Sequence, residues 1–413
     1  MGKDQSAEEA AYDLQSSIDS WGRLLIASGG SLKPEKCFFY LISFVWKADG
    51  WSYDSNETKE EFNMGVPMPD GTMCQIEHLS VDTAKETLGV FTCPSGNFGT
   101  HLLSMKKQGQ EWIDRAKESH LMRRDIWFLL DGQLWPKLGY GIGCVASPWK
   151  LLEVCLSKIW WQLIPMGGII RTAPREVRQM SKGFYGAGCP HPGVECLVQQ
   201  VSKFQTHYGC KTNMGLKMSA SLELLIVELG VSAQPLQESF KKYKDWVTWT
   251  WLVSAWEKYD MFNVVVSYNE KLVTLPRERD QWLMQMFVSV GFSKEDLVRL
   301  NRVRLHQQAL FLSCVLGASG KTLDPKYMTK RKEDEQWSTL VFPKENHHEE
   351  TLLCGSWLSA KLSQLEGYQT GSGDSPTRGT RYGIGDGIRT KASCYTTKTA
   401  RWISTNTRIC REW

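Results

Sequence analysis

The feature that most constrains the fold is a change of hydrophobic period near Leu102. Ahead of it, apolar residues come in short blocks separated by Gly, Pro and Asp. Behind it they recur at helical spacing as far as Val315. Leu102, Met105, Trp112 and Ala116 share one face, interrupted by Gly109. Leu152, Cys155, Ile159 and Leu163 form a second stripe, and Val194, Leu197, Val201, Phe204 and Tyr208 a third. Each stripe must be buried against another element, so this part of the chain reads as packed helices. Ser147-Pro148 opens the second helix with an N-cap and a proline at N1, and Pro165 with Gly167-Gly168 stops it. Thr172 to Ser181 is a short helix, followed by a glycine-rich loop from Gly183 to Gly193. Further helices are expected at Ser219 to Leu229, Gln237 to Tyr259 and Arg277 to Val290. Val264 to Val266 and Lys271 to Leu275 suggest a small hairpin. Ser293 with Asp296 is a capping box for a helix reaching about Val315.

The N-terminal part reads differently. Leu14, Ile18, Trp21 and Leu25 make Ala7 to Ala27 an amphipathic helix, ended by Gly29-Gly30. The unbroken run Phe38 to Trp46 has the composition of a strand buried on both faces. Asp49-Gly50 signals a hairpin returning through Trp51-Ser52-Tyr53, and Asn56 to Gly71 is a polar loop with Pro67 and Pro69. A second hairpin is suggested by Glu86 to Phe91, a turn at Pro94-Ser95-Gly96-Asn97 and a return to Leu103. The expected class is α+β, divided as 1–100, a sheet-bearing part; 101–215, helical; 216–346, a helical extension; and 347–413, a disordered tail rich in Gly, Ser, Thr and Arg. Permitted codon choices for Thr351 to Leu358 and Gly379 to Gly387, read two bases later, spell Trp-rich helical sequence. The tail therefore also reads as a frameshifted translation.

The net charge of +4 does not by itself argue for nucleic acid. The 18 tryptophans are roughly threefold more than an average chain of this length carries. They read as core anchors, with base-stacking platforms as the functional alternative. The 12 cysteines show no Cys-x-x-Cys, so reduced thiols and an intracellular chain without a signal peptide or membrane span are expected. Met1-Gly2-Lys3-Asp4-Gln5-Ser6 fits the short myristoylation pattern, which alone gives marginal anchoring. Cys189, His191, Cys196, His207 and Cys210 cluster without matching any zinc spacing.

Between Ser28 and Val90 runs a set of motifs in fixed order: Ser28-Gly29-Gly30-Ser31-Leu32-Lys33-Pro34-Glu35-Lys36-Cys37, then Phe38 to Trp46, then Thr87-Leu88-Gly89-Val90. This resembles the passage from palm to thumb in retrotransposon (non-LTR-like) reverse transcriptases, over about Ala7 to Gly193. In that family a helix follows the catalytic Asp-Asp hairpin; then come a glycine–lysine turn, a core strand and a Leu-Gly-Val primer-grip hairpin. The resemblance implies that Lys33 and Lys36 face phosphates, and that Leu88, Gly89 and Val90 approach a primer backbone. No Asp-Asp pair occurs in the 413 residues; by the resemblance it would lie ahead of Met1. The chain alone is therefore expected to be no enzyme and to take no cofactor, Mg²⁺ entering only with such an upstream part. What it implies instead is weak, non-specific contact with RNA or DNA backbone.

Arg299, Arg302 and His306 form a basic ridge beside the stripe Val298, Leu305, Ala309 and Leu312, and could touch the same kind of backbone. Two other functions stay open. One is a non-enzymatic helical interaction protein. The other is nucleotide binding through Gly317-Ala318-Ser319-Gly320-Lys321-Thr322, although Val315 stands where a phosphate loop needs its first glycine. Partners and oligomeric state are not legible.

Overall fold

The computed structural model describes residues 7–42, 44–47, 50–53, 63–268, 280–306 and 309–316. The myristoylation pattern, the Lys271 to Leu275 strand, the Gly317 to Thr322 loop and the 347–413 tail all lie outside them. The chain divides into two compact units, Met1–Thr100 and His101–Trp413. Together they make an α+β protein, small two-stranded sheets in the first unit and helices in the second.

In the first unit, helix α1 (Ala7–Ala27) has the expected bounds, but its stripe is not a buried face: Leu14 and Trp21 are exposed, and the helix makes its close approach at Gly22, against Pro67. The run Phe38 to Trp46 is not one strand. It splits into β1 (Phe38–Phe39) and β2 (Phe44–Lys47), and the two join different sheets. Phe39 and Leu41 are buried but Ile42 is 42% exposed, so the chain leaves the core between the strands. β2 pairs antiparallel with β3 (Gly50–Tyr53) and Lys47 faces Gly50, so Gly50 is a strand residue rather than part of the turn. The segment read as a polar loop contains β4 (Gly65–Pro67), paired with β5 (Met73–Gln75). Met64 and Val66 supply its buried anchors. The Gln15 side chain on α1 donates to the Gly65 carbonyl and accepts the Gly65 N–H, both at 2.9 Å, as a neighbouring strand would. β1 runs parallel to β6 (Glu77–His78).

In the second unit, α2 (Gly99–Glu118) buries His101, Met105, Gly109, Ile113 and Ala116. Gly109 does not interrupt the stripe. It lets α5 (Trp149–Met166) approach, since a Cβ there would lie 2.3 Å from Ile159 Cδ1. Between them lies a stretch that periodicity missed: α3 (Arg123–Leu129), a π-helical turn (Leu130–Leu134) and α4 (Trp135–Gly139). Ile126, Leu130, Leu134 and Leu138 are all buried along it. α5 starts one residue later than expected and passes through Pro165 before ending at Gly167. α6 (Arg175–Gln179) is short; α7 (Pro192–His207) and α8 (Asn213–Leu229) follow.

The expected helix from Gln237 to Tyr259 is broken into a short α9 (Phe240–Tyr243), a 3₁₀ turn (Lys244–Trp246) and α10 (Trp251–Phe262). The Thr250 hydroxyl accepts the Val253 N–H and starts α10 afresh. Val264 to Val266 are not a strand. α11 (Leu283–Val290) precedes α12 (Lys294–His306), which Ser293 caps by accepting the Asp296 N–H at 3.2 Å. α12 stops at His306 instead of continuing, and a separate turn, α13 (Leu312–Val315), follows. One cluster of apolar side chains joins α2, α5 and the Leu130–Ile142 stretch, and another joins α7, α8 and α10 to α13. Trp149, Trp246 and Trp256 are buried, and the indoles of Trp127, Trp249, Trp251 and Trp256 each donate to a backbone carbonyl. Trp256 is a fully buried anchor with a satisfied N–H, whereas the buried Trp246 N–H has no partner among the described residues.

Candidate nucleic-acid interface

The glycine–lysine turn is built by local rules. Pro34 fixes φ at the start of a 3₁₀ turn, Pro34–Lys36. The Lys33 carbonyl accepts the Lys36 N–H at 3.0 Å and the Pro34 carbonyl accepts that of Cys37 at 2.9 Å. Lys33 and Lys36 are both exposed. The turn runs straight into β1, where the Phe38 ring lies 5.8 Å from Lys85 Nζ. Lys85 also pairs with Glu77 at 2.6 Å and begins the strand β7 (Lys85–Thr87).

β7 pairs antiparallel with β8 (Val90–Thr92), and Thr87 faces Val90. The hairpin turn is therefore Leu88-Gly89 itself, not Pro94 to Asn97, which instead leads into α2. Leu88 has φ 51° and Gly89 φ 82°. Two left-handed residues in a two-residue loop make the type I′ turn, whose twist suits the flanking strands. Glycine takes this conformation freely, whereas Leu88 is strained by about 1 kcal/mol. Leu88 is also 86% exposed. Val90 is buried, so only the first two residues of the tripeptide are presented to solvent.

Arg299 and Arg302 belong to the other unit. Both are exposed on α12, and the side chain of His306 lies outside the described residues. The stripe beside them differs from the expected one. Leu297, Leu300 and Leu305 are buried, as are Ala309 and Leu312 beyond the helix, while Val298 is only half-buried. The comparison with known proteins then gives a plain result. No family model, curated protein or solved structure matches this chain.

Polymerase metal ions need converging carboxylates. Among the described residues no three His, Cys, Asp or Glu side chains converge. On α1, Asp19 Oδ1 accepts the Gln15 amide at 2.7 Å, a local role that does not fit a metal pair. The five Cys and His residues flagged in sequence do not gather into a metal-holding group. Cys196 donates to the Ile142 carbonyl at 3.4 Å and Cys210 to that of Thr206 at 3.2 Å. Burial pushes the thiols of Cys189 and Cys196 up to about 11, so both are inert.

His191 caps α7. Its Nδ1 accepts the N–H groups of Gly193 and Val194 at 3.1 and 3.4 Å, and its ring stacks on Trp149 at 4.5 Å. With Nδ1 accepting, Nε2 is the nitrogen left to hold the proton; it lies 3.2 Å from Glu153 and 2.8 Å from Arg175 Nη2. Arg175 pairs with the same Glu153 oxygen. Burial, followed by the positive charge of Arg175, lowers the His191 pKa.

Two buried cations escaped the sequence reading. Lys258 on α10 is 0% exposed; its Nζ donates to the Ser147 carbonyl at 3.0 Å, the Ser254 carbonyl at 2.9 Å and Ser254 Oγ at 2.8 Å. The Ser254–Lys258 pair looks like a nucleophile and base. All three ammonium protons are taken and no water reaches it, so its role is to tie α10 to the Ser147 turn. Arg304 on α12 donates to the carbonyls of Val227, Glu228 and Ala309 at 2.7, 3.0 and 3.2 Å, closing the C-terminus of α8 where the helix dipole favours a cation. The signal for both was a long cation falling on the buried side of a helical stripe.

Proposed function

We propose that this chain binds RNA or DNA through the sugar-phosphate backbone, weakly and without sequence preference, as a catalytically incomplete relative of retroelement reverse transcriptases. The observation that carries the reading is the Leu88-Gly89 turn. An apolar side chain stands in solvent there on backbone held in a strained conformation, an arrangement with no packing purpose of its own. A glycine at such a tip admits a sugar or phosphate close to the main chain. Lys33 and Lys36 sit exposed on a proline-fixed turn that feeds β1, whose Phe38 ring lies 5.8 Å from Lys85 Nζ of the same hairpin. Point charges of this kind attract phosphates by releasing counterions. Backbone contact gives affinity without base readout, so binding should be steeply salt-dependent and indifferent to sequence. The deciding experiment is a titration of the full chain with random-sequence duplex and RNA–DNA hybrid over a range of salt concentrations. Binding that survives high salt unchanged, or none at low salt, would remove this reading.

A further inference from the structure

The segment from Val177 to Cys189 is folded back on itself. Ala187 N–H donates to the Val177 carbonyl at 2.9 Å, Gly188 to Met180 at 2.9 Å and Cys189 to Arg178 at 2.8 Å. Inside this closure the Ser181 side chain accepts the Gly183 N–H at 3.2 Å and the Ser181 carbonyl accepts Gly186 N–H at 3.1 Å. The tip is thus held at both ends and across the middle. It carries Phe184, 60% exposed, and Tyr185, 97% exposed with φ 62°. A tyrosine held at positive φ and turned wholly into solvent serves no core. Glycine would fill that turn position with less strain.

The loop belongs to a larger basic face. Lys182 reaches Asp131 at 3.0 Å and lies 5.9 Å from the Trp127 ring, whose N–H donates to the Gly167 carbonyl at 2.9 Å. Arg123 packs so closely on Gly168 that a Cβ there would lie 2.7 Å from its Cδ. Arg171 lies over the exposed Trp161 ring at 5.8 Å. Among the described residues Arg123, Arg124 and Arg171 form no ion pair. Rigid aromatic faces set among unneutralised arginines suit a ligand that has both planar rings and negative charge.

We infer that this loop is a stacking site for the bases of single-stranded RNA or DNA, with Tyr185 as the principal platform. The charge excess favours a polyanion over a protein partner, and the bare ring favours unpaired bases over a duplex, whose bases are already stacked. The inference stands apart from the hairpin reading, since it concerns other residues in the other unit.

The test is fluorescence anisotropy of the full chain with a labelled oligothymidine of about 12 nucleotides and with a duplex of equal phosphate number. Tyr185→Ala and Tyr185→Gly should each weaken single-strand binding roughly 5- to 100-fold, and Tyr185→Phe should leave it unchanged. Duplex affinity should stay within about twofold. Tyr185→Gly relieves the backbone, so its unfolding temperature should not fall and lost binding is not lost folding. No loss in either variant, equal loss for duplex, or no oligothymidine binding by the parent would overturn the inference. Single-strand binding that depends on Tyr185 but not on Lys33 or Lys36 would uphold it even if the hairpin reading failed.

Discussion

The carboxylate of Glu257 accepts the N–H of Trp149 at 2.9 Å, from 108 residues further along the chain. Ser147 was the expected cap of that helix, but its carbonyl is occupied by Lys258 and its hydroxyl turns to Pro148. The start of α5 is thus satisfied by a tertiary contact from α10. Glu257→Ala should cost about 1–2 kcal/mol, the usual loss for a helix cap, and lower the unfolding temperature by several degrees. Glu257→Gln keeps an acceptor and should recover most of it. A thermal melt of the Ala variant superimposing on the parent would show that water replaces the cap.

Arg304 is expected to matter more. Arg304→Met leaves the carbonyls of Val227 and Ala309 in the interior without their donor, and frees Asn301 Oδ1, which it holds at 2.6 Å. The loss should be about 3 kcal/mol by urea unfolding. Asn301→Ala, in the same network, should not add fully to it. A loss below about 1 kcal/mol would mean that α8 is closed well enough by its left-handed cap at Gly230.

Stability should fall on acidification through the histidine range. The folded-state pKa of His191 lies below the 6.5 of a free imidazole. Between the two values the unfolded chain binds a proton that the folded chain does not, so stability is complete above pH 6.5 and is lost as pH falls through the folded value. Protonation also removes the Nδ1 acceptor that caps α7. His191→Asn keeps a capping acceptor without titrating, and should flatten this part of the pH profile. His101, whose pKa burial also lowers, leaves a residual slope of the same sign. An unchanged slope in the variant would assign the effect to other groups.

For the hairpin reading, the parent should show a slope of log affinity on log salt of roughly −3, with dissociation constants near 10⁻⁴ to 10⁻⁶ M. Lys33→Ala and Lys36→Ala should each flatten it by about one unit, while Arg299→Ala and Arg302→Ala change little. Leu88→Asn suits the left-handed turn and should raise stability slightly while weakening binding. Equal effects from all four cation variants would indicate a diffuse basic surface.

Primer extension by this chain on an RNA template, with Mg²⁺ or Mn²⁺ supplied, should stay at the no-protein level, because its sequence offers no Asp-Asp pair. Templated extension would require a second carboxylate arrangement and withdraw the reading of an incomplete polymerase.

The helical body was legible where an apolar stripe ran at even spacing, as in α7, whereas α8 begins at Asn213, ahead of the expected Ser219. It was not legible where burial came from all sides or from a local irregularity. Residues 123–139 were missed because a π turn interrupts their period, and Gln237 to Tyr259 was overextended because Trp, Tyr and Val suit any buried conformation. Phe38 to Trp46 shows the same weakness, since apolar composition cannot say where a chain leaves one sheet for another. At the candidate interface, the sequence located the lysine turn but set the hairpin's turn at Pro94 to Asn97. Which two residues form the tip follows from strand register, and that depends on pairing between β7 and β8. Tyr185 was passed over because glycines on either side made its segment look like a featureless loop.

The π turn at Leu130–Leu134 also bears on how this sequence can change. Four residues of regular helix overshoot a full circle by about 40°, so leucines spaced by four drift off any common face. The wider turn absorbs that drift and keeps Ile126, Leu130, Leu134 and Leu138 buried together. Deleting Gly132 would restore an ordinary helix and bring the last two leucines to seven and eleven residues after Ile126, the spacing of a regular helical stripe. A Cβ at Gly132 would meet nothing within 4 Å, so no packing holds that residue in place. The turn is therefore a reversible insertion: the sequence can gain or shed one residue here while the wall of leucines stays on the core side.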